Sequence, residues 1–281
     1  MKKRFKQVYV EITNICNLDC SFCPKTKREK GMMSLCSFKQ VIEEVSLFTD
    51  IVYLHVMGET LLHPDLIEMI EYTNAKGMDV AITTNGILLP QFAKRVAGLG
   101  IKRINISMHS YIDKNNLVAE EQIMATIMAA EEILKRIDTT IFYRIWDLQN
   151  CGTKQLVDKL LSHYKVEPQY DLVTKPNGLP IKHRIRLQQE TQFVWPINGD
   201  NKNSKGFCQG LRNQIAILIN GDVVPCCLDN DGTIKLGNIF EDDLNSILTS
   251  KVAQGIYENF SERKIYHPLC LKCEYRNKFA K

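Results

Sequence analysis

Three cysteines stand at C-x3-C-x2-C spacing in the segment Ile15-Cys16-Asn17-Leu18-Asp19-Cys20-Ser21-Phe22-Cys23-Pro24. Thiolates this close along one loop can hold three corners of an iron-sulfur cube, which ordinarily takes four cysteines, and one iron then stays open. An open coordination position is what separates a reactive metal centre from a structural one. The same residues also read as a zinc site completed by a histidine such as His55 or His63, or as three unrelated core thiols. A second group, Cys208, Cys226, Cys270 and Cys273, ends in C-x2-C. Four thiolates satisfy a cube completely, so this site is expected to be closed, although tetrahedral zinc suits the same set. Cys227 adjoins Cys226. Neighbouring side chains on a strand point to opposite faces, so only one is expected to reach the site, and the spacing favours Cys226. Cys36 and Cys151 have no partner at ligand spacing and are expected to be small buried hydrophobes.

The elements that must position these residues follow from hydrophobic period. Strand-like, β-branched runs near 7–13, 51–56, 78–83, 102–107 and 139–145 alternate with helical patterns near 38–47, 64–76, 88–98 and 119–136. A helix near 153–163, a loop at Lys175–Pro180 and a sixth strand near 182–188 continue the series. This β-α alternation predicts an α/β fold with a parallel sheet and right-handed crossovers. Beyond about residue 195 the pattern changes to a polar loop (Asn198 to Gly206), then a hairpin turning at Asn220-Gly221-Asp222, then short helices. The domain boundary is therefore expected near 196–207.

Cys16 to Cys23, Glu59, Asn85, His109 and Arg144 all fall just after the C-terminal ends of successive expected strands, where parallel α/β folds build their sites. Each has an ordinary alternative: a solvated Glu59, a common turn at Thr84-Asn85-Gly86, a satisfied core His109, and an Arg144 paired with any nearby carboxylate.

The loop with its three cysteines and Phe22 before the last of them resembles the signature of the radical S-adenosylmethionine (SAM) superfamily. That resemblance implies a 4Fe-4S cluster on Cys16, Cys20 and Cys23 whose open iron chelates the amino and carboxylate groups of SAM. Met57-Gly58-Glu59 is similar to the family's Gly-Gly-Glu motif, with Met57 in place of the first glycine, which implies that Gly58 and Glu59 receive the cofactor's amino group. By the same resemblance Thr83, Asn85 and Ser107 contact the ribose and methionyl carboxylate, and Arg144 pairs with that carboxylate. The segments Asn220 to Cys227, Lys235 to Ile239 and Cys270 to Cys273 resemble the twitch form of the SPASM extension, which implies one auxiliary 4Fe-4S cluster on Cys208, Cys226, Cys270 and Cys273. The fold so implied is a partial (β/α)6 TIM-like barrel over residues 1–196, followed by a small C-terminal domain of β-hairpin plus helices over 197–281.

The family's chemistry is reductive cleavage of SAM to a 5'-deoxyadenosyl radical, which then abstracts a substrate hydrogen. The spacing of both cysteine groups is close to the aminocyclitol-dehydrogenase type of twitch enzyme. This implies an oxidoreductase acting on a small molecule such as an aminocyclitol or sugar, with the auxiliary cluster taking the substrate's electron and a one-electron donor such as flavodoxin or ferredoxin. His109, Tyr143, Arg144 and His183 are the candidate bases or substrate contacts. Modification of a ribosomally made peptide is the alternative, although the first strand begins almost at Met1 and leaves no room before it for a peptide-recognition module. A reading from another class is a non-catalytic iron-sulfur or zinc protein.

Composition bounds the rest. The chain has 281 residues, 44% hydrophobic and 24% charged, which is ordinary globular usage. Lys plus Arg (36) exceeds Asp plus Glu (32) by 4, and the basic residues are scattered, which argues against nucleic acid as a partner. No apolar run approaches the roughly 20 residues of a membrane span. Ten cysteines without a signal peptide suit a cytoplasmic chain that uses thiols for metal or catalysis rather than for disulfides. A monomer is expected.

Overall fold

A computed structural model describes residues 3–114, 118–175, 177–190, 192–200 and 202–279. Met1 and Lys2 of the basic N-terminus, and Pro176 and Asn201 of the two expected loops, lie outside the described residues. In chain order the first half runs β1 (Gln7–Val10), α1 (Leu35–Val45), β2 (Ile51–Tyr53), α2 (Leu66–Ala75), β3 (Asp79–Thr84), α3 (Leu89–Phe92), β4 (Ile101–Ser107), α4 (Glu120–Arg136) and β5 (Thr140–Trp146). Then come α5 (Cys151–Tyr164), α6 (Tyr170–Val173), β6 (Leu179–Lys182), β7 (Ile185–Glu190), β8 (Gln214–Ile217), β9 (Asp222–Val224), β10 (Gly237–Asn238), α7 (Leu244–Thr249), α8 (Lys251–Ser261) and α9 (Pro268–Lys272). Packing divides the chain into two units: Met1–Cys16, Pro24–Asp79 and Phe193–Lys281 form the first, Asn17–Cys23 and Val80–Gln192 the second.

The first unit holds strands in the order β10-β9-β8-β1-β2. β1 pairs in parallel with β2 (Val8 opposite Val52) and with β8 (Val10 opposite Ile217), so a strand from near the C-terminus lies directly beside the first one. The expected hairpin is present as β8 and β9, turning at Asn220-Gly221, where Gly221 takes φ +85. Helix α1 begins at Ser34, whose hydroxyl accepts from the Ser37 N–H, and it buries Phe38, Val41, Ile42 and Val45. Those positions recur at the helical i, i+3, i+4, i+7 spacing, so a single apolar stripe seats the helix.

In the second unit the order is β3-β4-β5-β7-β6, all parallel except β6. Neither strand array closes on itself. The register sets Thr83, Asn105 and Phe142 side by side on one face, with Ser107, Arg144 and Gln188 one level nearer the strands' C-terminal ends. Alternation puts Ile82, Ile104, Ile106, Ile141, Tyr143, Ile145 and Leu187 on the other face, all of them buried. One face thus carries the polar side chains, with Phe142 among them, and the other is an apolar core apart from the Tyr143 hydroxyl.

Three expectations need correction. The helix expected over 88–98 is regular only across Leu89–Phe92, since turns carry the chain to Gly98 at φ +82. The sixth strand is preceded by an antiparallel partner, β6, in the stretch read as loop; the turn between them uses Arg184 at φ +61 rather than glycine, so the usual hairpin signal is missing. Cys36 and Cys151 are exposed, not buried, because both lie in the first turn of a helix on its solvent side. Among the described residues no helix is long and apolar enough to cross a membrane.

Candidate functional site

In the first unit, β1 leads into Thr13 and Asn14, which close the base of the cysteine loop. Thr13 Oγ1 donates to Gly31 O at 3.1 Å, Asn14 Nδ2 donates to Glu29 O at 2.9 Å, and Asn14 Oδ1 accepts from Gly31 N at 2.9 Å. The Met57-Gly58-Glu59 segment lies against the same stretch, with the Glu59 N–H donating to Ile15 O at 2.8 Å. Glu59 is 1% exposed, and its carboxylate accepts from Leu61 N at 3.0 Å, so it is a buried, oriented acid and not a solvated one.

Gly58 is required here for two reasons. Its φ is +76, and a Cβ would stand 2.6 Å from Thr13 O and 2.8 Å from Ile15 O. Gly58→Ala therefore combines left-handed strain with a clash against backbone that cannot swing away. We expect it to lower stability by about 2–4 kcal/mol, read as a fall in the chemical denaturation midpoint. A shift below about 0.5 kcal/mol would mean the segment relaxes freely.

Beneath this segment lies a buried ion pair that sequence reading missed. Glu11 is fully buried, and its Oε1 accepts from Arg28 Nη2 at 2.7 Å and from Met57 N at 3.2 Å, while Oε2 accepts from Ile219 N at 3.2 Å. Arg28 Nε in turn donates to Asn230 O at 2.8 Å. One carboxylate thus ties β1, the Gly58 segment, the β8–β9 turn and the Cys226–Asp231 region together. An acid interrupting an apolar strand was the only available signal.

In the second unit, residues 17–23 of the cysteine loop are held at three points. Asn85 Nδ2 donates to Asn17 Oδ1 at 2.7 Å, and Ser21 donates through N and Oγ to the Asp113 carboxylate at 3.0 and 2.6 Å. Phe22 packs on His109 and Trp146 with ring centroids 5.1 and 4.5 Å away, and His109 itself stacks on Trp146 at 4.0 Å and 10°. The Cys23 N–H closes the turn onto Cys20 O at 3.2 Å. Asp113, Asn17 and Trp146 were not foreseen as loop holders, since the partners are distant in sequence and nothing in their spacing announces them.

His109 Nδ1 lies 3.2 Å from Arg144 O, and a carbonyl only accepts, so Nδ1 carries the proton and Nε2 does not. Burial, reinforced by the Arg144 charge, brings its pKa down to about 3, so the ring is neutral across physiological pH. Tyr143 lies on the core face with its hydroxyl 3.0 Å from that of Tyr164 on α5, and burial holds its proton firmly. Arg144, one residue on, lies on the polar face; its Nη2 is 3.6 Å from Glu190, and its buried Nε has no hydrogen-bond partner among the described residues. Such an orphaned donor fits an anionic ligand group. His183 is exposed in the turn before β7, at the strand end opposite Ser107 and Arg144, and so does not join them.

Cys208, Cys226, Cys270 and Cys273 all line one partly enclosed cavity in the first unit. Cys227 does not line it and instead meets the half-buried Tyr9. Among the described residues no group of three or more His, Cys, Asp or Glu is placed to hold a metal ion, so the four thiols ring a volume instead of converging on a point. Burial pushes the Cys208 thiol up to about 11 and raises Cys226, Cys270 and Cys273 as well, with like charge from neighbouring thiols adding to it at Cys208, Cys226 and Cys270. Four half-buried thiols that would repel one another as thiolates are the donor set a multi-iron cube neutralises, and backbone N–H groups of Gln209, Gly210, Tyr275 and Arg276 already donate to Cys208 and Cys273. These residues fit the cluster.

Comparison with known proteins accords with this geometry. Residues 10–145 match the family model of the radical SAM superfamily, and residues 208–274 match SPASM, an iron-sulfur cluster-binding domain. The "Probable GTP 3',8-cyclase" of Methanococcus maripaludis is 34% identical, the match spanning 84% of this chain and 90% of that protein. The tungsten-containing aldehyde ferredoxin oxidoreductase cofactor-modifying protein of Pyrococcus furiosus is 24% identical over 97% of this chain and 88% of its own length. Among solved structures, BtrN in complex with AdoMet and 2-DOIA superposes with TM-score 0.59 at 19% identity, covering 98% of this chain and 94% of that one. SuiB of Streptococcus suis bound to precursor peptide SuiA gives 0.62 at 17%, covering 96% and 71%. At these identities the structural likenesses establish the fold, an incomplete, open TIM-like barrel. Together with the cysteine loop and the thiol-ringed cavity, the two domain matches and the relative at 34% identity make this chain a member of the radical SAM superfamily with a SPASM domain.

Proposed function

We propose that this radical SAM protein oxidises a small polar molecule of the aminocyclitol or sugar class, with a second cluster receiving the substrate's electron. The observation that carries the reading is the pairing of a three-thiol loop with a separate cavity ringed by four thiols. In this reading Cys16, Cys20 and Cys23 hold the first 4Fe-4S cluster, and Cys208, Cys226, Cys270 and Cys273 hold the second. Residues 1–196 form the SAM-cleaving part and 197–281 the auxiliary part. When bound, the first cluster and SAM supply a 5'-deoxyadenosyl radical.

The chain's own residues then bind and orient. Gly58 and Glu59 offer backbone and carboxylate to the SAM amino group, while Thr83, Asn85 and Ser107 present polar groups at the ends of β3 and β4. Arg144, with its orphaned Nε, pairs with the methionyl carboxylate. His109, neutral and stacked, positions Phe22 and with it the cysteine loop; it is a weak candidate for a proton donor. A flavodoxin or ferredoxin supplies the electron, and the chain acts as a monomer.

The fold shared with BtrN, which was solved with 2-DOIA, supports the small-molecule reading. A second reading, cyclisation of a purine nucleotide, draws on the 34% identity to the probable GTP 3',8-cyclase, and the fold shared with peptide-bound SuiB keeps peptides in the screen. The test is anaerobic reconstitution with dithionite and SAM, assaying 5'-deoxyadenosine against aminocyclitols, GTP and short peptides. Stimulation by an aminocyclitol, with a product two hydrogens lighter, is expected. Stimulation by GTP or a peptide alone would reassign the substrate, and a fully loaded protein that never cleaves SAM would point to an electron carrier.

A further inference from the structure

The thiol-ringed cavity has one strongly placed cation. Arg276 is 3% exposed and lines the cavity beside Cys208, Cys270 and Cys273. Its Nη1 donates to Lys205 O at 2.8 Å and its Nη2 donates to Asn203 O, so two main-chain carbonyls clamp the outer edge of the guanidinium. Its Nε is buried and has no hydrogen-bond partner among the described residues. Burying a guanidinium N–H with nothing to receive it is costly unless a ligand completes the site. The acid facing the same cavity is Asp229, and its carboxylate is already occupied, accepting from Thr233 N at 2.8 Å and Ile234 N at 2.7 Å. A carbonyl-clamped cation with a spare donor, set among thiols and opposed by one saturated acid, is arranged to stabilise negative charge on whatever the thiols hold.

We propose that Arg276 sets the reduction potential of the auxiliary cluster: its Nε–H donates to a cluster sulfur, and its charge favours the reduced state. This rests on the auxiliary-cluster reading above. Reduction adds one electron to the cluster, so a fixed neighbouring positive charge and an N–H···S bond both stabilise the product of electron uptake and raise the potential. Arg276 is here a positioning residue for electron acceptance. The consequence is an acceptor matched to an electron leaving a substrate radical.

The experiment uses the full chain with Cys16, Cys20 and Cys23 replaced by Ala, so that the auxiliary site alone contributes signal, and follows its reduction by potentiometric titration with electron paramagnetic resonance. Arg276→Gln is expected to lower the reduced-to-oxidised ratio at fixed poise about tenfold, which is 59 mV for a one-electron couple. Asp229→Asn is expected to move the potential the opposite way, and Arg276→Lys, which keeps the charge but lacks the Nε–H, to fall between Arg276→Gln and the parent. A retained cluster with unchanged potential in Arg276→Gln would overturn the proposal. If Arg276→Gln and Arg276→Met both lose the cluster while Arg276→Lys keeps it, the potential of Arg276→Lys decides: a value below the parent's supports the proposal and an unchanged value overturns it. Loss in all three would overturn it and leave Arg276 a scaffold residue. No iron in the parent, or zinc in its place, would instead refute the cluster reading itself, a result separable from any of these by metal analysis.

Discussion

Replacing Cys16, Cys20 and Cys23 together by alanine is expected to abolish 5'-deoxyadenosine formation, by at least about a thousandfold, while about four of roughly eight irons remain bound. The two effects separate because the two sets of thiols are independent in sequence and occupy different loops. The auxiliary set is complete within the first unit, lining one cavity with backbone N–H groups already aimed at two of its sulfurs. Each single substitution in the loop should cost nearly as much as the triple, since three ligands holding one cube act as a unit and their losses do not add. Iron and sulfide counts beside product assays on the four variants check this. Cleavage surviving in the triple variant would remove the loop from the chemistry, and loss of all the iron would mean that the second set cannot hold a cluster alone.

Glu11→Ala should destabilise the fold by about 3–5 kcal/mol, the largest single effect we expect outside the cysteines. The carboxylate is completely buried and accepts from Arg28 Nη2, Met57 N and Ile219 N, so its removal leaves a buried guanidinium and two main-chain donors without their acceptor. Most of that cost comes from the stranded charge rather than from the attraction lost. A paired Glu11→Leu, Arg28→Met substitution should therefore recover most of the stability, although Met57 and Ile219 stay unsatisfied. Denaturation midpoints of the singles and the double, taken as a cycle, measure this. A Glu11→Ala cost under about 1 kcal/mol would show that water reaches the pair. A double as poor as the single would place the cost in the main-chain bonds. SAM affinity should fall with stability in Glu11→Ala, because Met57 N is the anchor for the Gly58-Glu59 segment that we assign to the cofactor's amino group.

Much of this molecule was legible along the chain because its signals are local. The alternation of β-branched runs with amphipathic stripes marked five strands, parallel within each unit, and Asn220-Gly221 marked the hairpin, since period and turn chemistry act between neighbours. The C-x3-C-x2-C and C-x2-C spacings likewise keep Cys16, Cys20 and Cys23 on one loop and Cys270 and Cys273 at one terminal turn. Boundaries failed where the local signal was weak: α3 ends early, and β6 was hidden by a turn whose left-handed residue is Arg184.

Three-dimensional packing decided the rest, for the reason that contacts between residues far apart in sequence leave no periodic trace. Nothing in the order of residues shows that β8 pairs with β1 or that Arg28 meets Glu11. The stacking of His109 on Trp146 to seat Phe22 is equally silent. Residue type alone also nominated Tyr143 and Arg144 equally, as adjacent polar groups at the end of one strand. Strand alternation then turned Tyr143 into the core against Tyr164 and left Arg144 on the polar face with a donor to spare. Chain chemistry named the thiols and their number, whereas burial and register chose which neighbouring side chains orient, neutralise or bias them.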